Sequence, residues 1–199
     1  MRFDRGEDMM DGLCSDAELQ ELMEVMQADS GDELEQADRL ISDYPEDPRL
    51  HFLRGSILAS IGRPIEALPA LRTAVELAPD FAIARFQLGF FQLTSGEAAN
   101  ALSTWGPLAL LPEQNYLRMF VAGLTHLIRD EFEEAITQLR AGMAANDENP
   151  PLNRDMQLIV EQTSALAAGA ATADTPDREA ASATSFLLDQ LSGGSGKAH

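Results

Sequence analysis

The sequence predicts an all-α protein made by copying one helix-turn-helix unit, and three observations predict it. Gly55, Gly89 and Gly123 stand 34 residues apart. Ala67, Ala101 and Ala135 keep the same step, as do Leu71, Trp105 and Leu139, while Gly62, Gly96 and Asp130 make a further column. Between the columns, apolar residues recur at helical spacing, and clusters rich in Pro, Gly and Asp punctuate them. Small and bulky columns in one shared register mark stacked repeats, whose function lies on a surface rather than in a catalytic pocket.

The elements follow in order. Residues 1–14 read as a flexible leader, with Cys14 a bystander thiol in a polar stretch. Residues 15–47 read as a degenerate helix pair. Its first helix opens on Ser15-Asp-Ala-Glu18, which has the form of a capping box, and its second runs from Asp32 to Asp43. Tyr44-Pro45-Glu-Asp-Pro48 then breaks the chain, because proline lacks the N–H that a helix interior needs. Residues 48–149 hold three repeats, 48–81, 82–115 and 116–149, with turns at Gly62-Arg-Pro64, Ser95-Gly96-Glu97 and Arg129-Asp-Glu131. The second helix of the middle repeat is expected to reach Leu110. Residues 150–166 supply an amphipathic capping helix through Leu152, Met156, Ile159, Val160 and Leu166, closing the open end of the stack. Residues 167–199 form an Ala/Thr/Gly/Ser-rich tail with linker composition, interrupted by the apolar segment 186–191.

Composition limits what the chain does. Of 199 residues, 45% are hydrophobic, enough for a real core. No stretch of about 18 uncharged apolar residues is present, and the first residues lack a signal-peptide apolar region, so a cytoplasmic location is expected. The net charge is −19, and residues 1–48 concentrate it, with 16 Asp and Glu against 3 Arg. Nucleic acid and anionic membranes call for the opposite sign and are poor partners. The acidic half suits solubility first and the steering of a basic partner second.

The register resembles the tetratricopeptide repeat (TPR), a 34-residue helix-turn-helix with the signature W-x2-L-G-x2-Y, A-x3-F and P. The first repeat matches through His51, Arg54, Gly55, Leu58, Ala67, Leu71, Ala74 and Pro79. The second matches through Arg85, Leu88, Gly89, Gln92, Ala101, Trp105 and Leu108, and the third through Met119, Ala122, Gly123, His126, Ala135, Leu139 and Gly142. The resemblance implies a right-handed TPR solenoid of three to four repeats plus a C-terminal capping helix. It also implies that the inner face of each first helix lines a groove for a partner protein. Among those inner positions are Phe52, Ile83, Phe86, Phe90, Leu93, Leu117, Phe120, Leu124 and Leu127. The last repeat's set is wholly apolar, so an apolar peptide or helix is the expected ligand. The carboxylate clamp of TPR adaptors for heat-shock chaperone tails is missing, because the corresponding positions read Phe52, Ser56, Gln87, Leu117 and Val121.

Catalytic chemistry finds little support. His51 and His126 fall at packing columns, no two histidines are spaced i, i+4, and one cysteine makes no thiolate cluster for a metal. Glu131, Glu133 and Glu134 flank a helix start, where carboxylates favour the dipole. No Walker loop or dinucleotide fingerprint appears, and neither a cofactor nor a small-molecule substrate is evident. The expected function is a non-enzymatic protein-binding module acting as scaffold, adaptor or holding chaperone. The alternatives are a secretion-system chaperone for translocator-type proteins and a regulatory TPR subunit of an enzyme or envelope assembly. Phe186, Leu187, Leu188 and Leu191, on a tether whose reach is roughly 25 Å, form a candidate segment for docking into the chain's own groove.

Overall fold

The computed structural model describes residues 12–28 and 31–172, and all the regular structure among them is helical. In order these helices are α1 (Asp16–Ala28), α2 (Glu33–Asp43), α3 (Pro48–Ser60), α4 (Pro64–Leu77), α5 (Ala82–Thr94) and α6 (Ala98–Trp105). A 3-10 segment (Gly106–Leu110) follows, then α7 (Tyr116–Ile128), α8 (Phe132–Ala145) and α9 (Pro150–Thr172). The described residues form two compact units that divide between Leu88 and Gly89, inside α5.

The copied register is visible in the turns. Gly62, Gly96 and Asp130 have φ of 73°, 82° and 57°, so all three occupy the left-handed region that ends a helix. Each sits in the same pair of hydrogen bonds. The amides of Arg63, Glu97 and Glu131 donate to the carbonyls of Leu58, Gln92 and His126 at 2.8, 2.8 and 3.0 Å. The amides of Gly62, Gly96 and Asp130 donate to those of Ala59, Leu93 and Leu127 at 3.2, 3.0 and 3.0 Å. This Schellman pattern satisfies carbonyls that the helix end leaves without partners.

In the first unit, α1 opens on the expected capping box. The Glu18 amide donates to Ser15 Oγ at 3.3 Å while the Ser15 amide donates to Glu18 Oε2 at 3.0 Å. Leu19 and Leu22 of α1 join Ala37, Leu40, Leu50 and Ile57 in one core. Helix α3 packs on α4 with almost no gap, since a Cβ on Gly55 would lie 2.7 Å from Leu71 Cγ.

The second unit repeats this closure twice. A Cβ on Gly89 would meet Trp105 Cδ1 at 2.6 Å, and one on Gly123 would meet Leu139 Cγ at 2.7 Å. Helix α7 lies on α8 and α8 on α9, where Met156, Ile159 and Val160 are buried. Asn146 pins the α8–α9 turn, its Nδ2 donating to the Asn149 carbonyl and to Asn153 Oδ1, both at 2.8 Å.

Three sequence expectations need correction. The second helix of the middle repeat stops at Trp105 and tightens into a 3-10 segment, because Pro107 has no N–H to continue the α-helical pattern. Helix α9 runs six residues past the expected Leu166, through the alanine-rich start of the tail, since alanine is the residue that helices accept at least cost. Cys14, expected at the end of the leader, is 3% exposed and belongs to the first unit's core.

The close approach at Gly123 makes a quantitative prediction. Gly123→Ala lowers unfolding free energy by roughly 1–3 kcal/mol through overpacking, and Leu139→Ala lowers it by about 2–5 kcal/mol through a cavity. The double variant loses less than the two combined, because the new methyl enters the space that Leu139 vacates. Urea midpoints for the four chains measure this coupling.

Candidate functional site

Six of the nine residues expected to line an apolar groove lie in the core. Phe86, Leu93, Phe120, Leu124 and Leu127 are wholly buried, and Leu117 nearly so. Their burial has a local cause in the third repeat. The Phe120 ring is seated on Gly142, where a Cβ would come within 2.6 Å of Cε1, and it meets the Tyr116 ring edge-on at 5.8 Å between centroids. Bulk at the fifth and twelfth positions of the first helices of the second and third repeats therefore fills core, not a binding surface. The phenylalanine column itself keeps the step of the glycines, at 52, 86 and 120.

Phe52, Ile83 and Phe90 remain half-buried. In the first unit the Phe52 ring tilts against that of Phe81, with centroids 5.2 Å apart. Ser56 Oγ lies 3.0 Å from the Phe52 carbonyl and 3.3 Å from Gln87 Oε1, so polar groups of α3 and α5 answer one another beside these rings. In the second unit, Phe90 shares its helix with Thr94, whose hydroxyl donates back to the Phe90 and Phe91 carbonyls, 3.1 Å from each. Phe186, Leu187, Leu188 and Leu191, the candidate self-docking segment, lie outside the described residues.

Arg49, an inner-face position by the repeat register, is engaged elsewhere. Asp47 caps α3 just ahead of Pro48, and its side chain is fully buried. Its carboxylate accepts the Arg49 amide at 2.9 Å, Arg49 Nε at 3.0 Å, Arg49 Nη2 at 2.7 Å and the Cys14 amide at 3.0 Å. Arg49 also donates to the Cys14 carbonyl at 2.6 Å and pairs with Asp16 at 3.4 Å. This knot fixes residue 14 against the start of α3. Local pattern reading missed it because its partners lie 33 residues apart. The Asp47-Pro48 pair, an N-cap followed by proline at the first helical position, is the signal that was there to find.

The electrostatics follow from the knot. Burial alone raises the Asp47 pKa, but hydrogen bonds from Arg49 and from the Cys14 amide outweigh it and hold the carboxyl below its usual range. A depressed carboxylate pKa stabilises the fold above the unfolded value of about 3.9, and the contribution is lost as pH falls through the folded value. Cys14 moves the other way. Burial first, then the Glu18 and Asp47 carboxylates, push its thiol up to about 11. That thiol is a core group, not the bystander of a polar stretch that was expected.

His51 and His126 serve the frame. His51 Nε2 sits 2.7 Å from the Pro45 carbonyl, and His126 Nδ1 sits 2.6 Å from Glu131 Oε2 across the α7–α8 turn. Among the described residues no group of three His, Cys, Asp or Glu is placed to hold a metal ion, and no helix is long and apolar enough to cross a membrane.

With this geometry in view, comparison places the fold. No protein-family model matches the sequence, and no curated protein matches it. Among solved structures, it is similar to MamA (41-end) from Desulfovibrio magneticus RS-1. The match has 14% identity and a TM-score of 0.53, and it covers 80% of this chain and 96% of that one. A MamA RS-1 double mutant matches with 13% identity and a TM-score of 0.55, covering 90% of this chain and 95% of that one. MamA is a TPR protein, and the chain has the TPR fold.

The Cys14 environment is directly testable. At about pH 8 the native thiol reacts with Ellman's reagent at least about 100-fold more slowly than in denaturant, since few thiolates form and access is closed. Asp47→Ala removes the knot, costs about 2 kcal/mol of stability and speeds labelling of the native chain.

Proposed function

We infer that the chain is a non-enzymatic module that captures a polypeptide segment of a partner protein, as scaffold, adaptor or holding chaperone. The TPR architecture supports this reading, because stacked helix pairs present extended faces and side chains rather than an enclosed reaction site. One observation carries it: Phe52, Ile83 and Phe90 stay half-buried at inner-face positions while the neighbouring apolar columns are sealed. Partly covered aromatic and aliphatic side chains are the usual anchors of protein recognition. A cytoplasmic setting belongs to the same proposal, as does the exclusion of nucleic acid by the charge of −19.

Affinity capture followed by partner identification tests it, with two variants as controls. Phe90→Asp abolishes capture of the identified partner and leaves far-UV circular dichroism unchanged. Phe86→Ala, at a wholly buried ring, lowers stability by about 3–5 kcal/mol. Capture that is indifferent to Phe90→Asp removes Phe90 from the contact. Loss of helicity in that variant assigns Phe90 to the core.

A further inference from the structure

The first unit carries charge that narrows the partner. Its described residues hold fourteen carboxylates and six arginines. Most of those arginines are consumed internally. Arg49 is bound to Asp47 and Asp16, Arg54 to Asp38 at 2.6 Å, Arg39 to Glu35 at 3.1 Å and Arg63 to Glu66 at 2.7 Å. Arg85 donates to the Pro79 carbonyl at 2.7 Å.

The α3 inner face shows the consequence at close range. Arg49, Phe52 and Ser56 follow one another along it at helical spacing. The one cation on it is held by the buried Asp47 and by Asp16, whose side chain is wholly exposed. Glu46 stands exposed two residues before α3 and Asp80 two residues before α5. Helices α3 and α5 themselves carry the half-buried Phe52 and Ile83, with the Ser56–Gln87 contact between the two helices. An acidic peptide meets no uncommitted guanidinium on this face, whereas a basic one meets carboxylates.

We propose that the α3–α5 face of the first unit binds a cationic amphipathic helix of a partner protein, its apolar stripe on Phe52 and Ile83 and its Lys or Arg residues toward Asp16, Glu46 and Asp80. This rests on the reading of the chain as a partner-binding module and names the chemistry of the partner. A helix is the occupant that lays one apolar stripe on Phe52 and Ile83 while keeping a charged face toward the carboxylates. Carboxylates at the margin steer the approach and fix the sign of the ligand, while the apolar contacts hold it.

Two labelled synthetic helices test this against the full-length chain by fluorescence anisotropy. They share one leucine stripe and differ only in carrying Lys or Glu on the polar face. The Lys helix binds at least about tenfold more tightly at physiological salt and loses affinity as salt rises. Ile83→Ser and Phe52→Ala each weaken it severalfold, and Glu46→Gln with Asp80→Asn weakens it without changing the melting temperature. If the Glu helix binds as well or better and both apolar variants weaken it, the cationic assignment is overturned while partner capture stands. Lys-helix binding that ignores Ile83→Ser and Phe52→Ala is diffuse attraction to an acidic surface and overturns the proposal. Binding of neither helix overturns it as well, and removes this face from the partner-capture reading.

Discussion

The structure depends on one steric relation, a hydrogen atom in place of a side chain wherever a helix pair closes. Gly55, Gly89 and Gly123 receive Leu71, Trp105 and Leu139, at separations that a Cβ could not share. Removing the Cβ brings the two helices of a pair close enough for the bulky residue to fill the seam. Two short helices cannot bury their apolar faces alone, so the closed pair becomes a unit that needs neighbours. The turn column completes it, because a left-handed residue at 62, 96 and 130 reverses the chain at the same distance from each glycine.

That closure also decides how much surface is left for anything else. Apolar side chains at the fifth and twelfth positions of the first helices belong mostly to the packing, with Phe86, Leu93, Phe120 and Leu127 fully covered. Only partly covered are Phe52 and Ile83 in one unit and Phe90 in the other. The charged groups sort themselves in a similar way. Among the described residues of the first unit the arginines are mainly used to answer the protein's own carboxylates, as Arg49 answers Asp47 and Arg54 answers Asp38. The surplus that faces water is therefore acidic.

Much of the fold was legible because its determinants are periodic and local. A glycine, an alanine and a bulky residue at fixed offsets, with a turn former between, need no long-range information to recognise. The site was less legible. Sequence register locates the inner face of a helix but does not distinguish a side chain pointing at the next helix from one pointing at solvent, so Phe52 and Phe120 read alike. The fate of Cys14 was invisible for a different reason. Its flank is polar, and what buries it is a carboxylate and a guanidinium beyond an intervening helix pair. The 3-10 segment after Trp105 was foreseeable from Gly106-Pro107, and the length of α9 from the helix preference of its alanines.

Trp105, the sole tryptophan of the chain, occupies the closing position against Gly89 and is 1% exposed. Its fluorescence reports the central relation without any substitution. That relation predicts a blue-shifted native emission and acrylamide quenching several-fold weaker than in denaturant. A native emission maximum and quenching constant equal to those of the unfolded chain would contradict it.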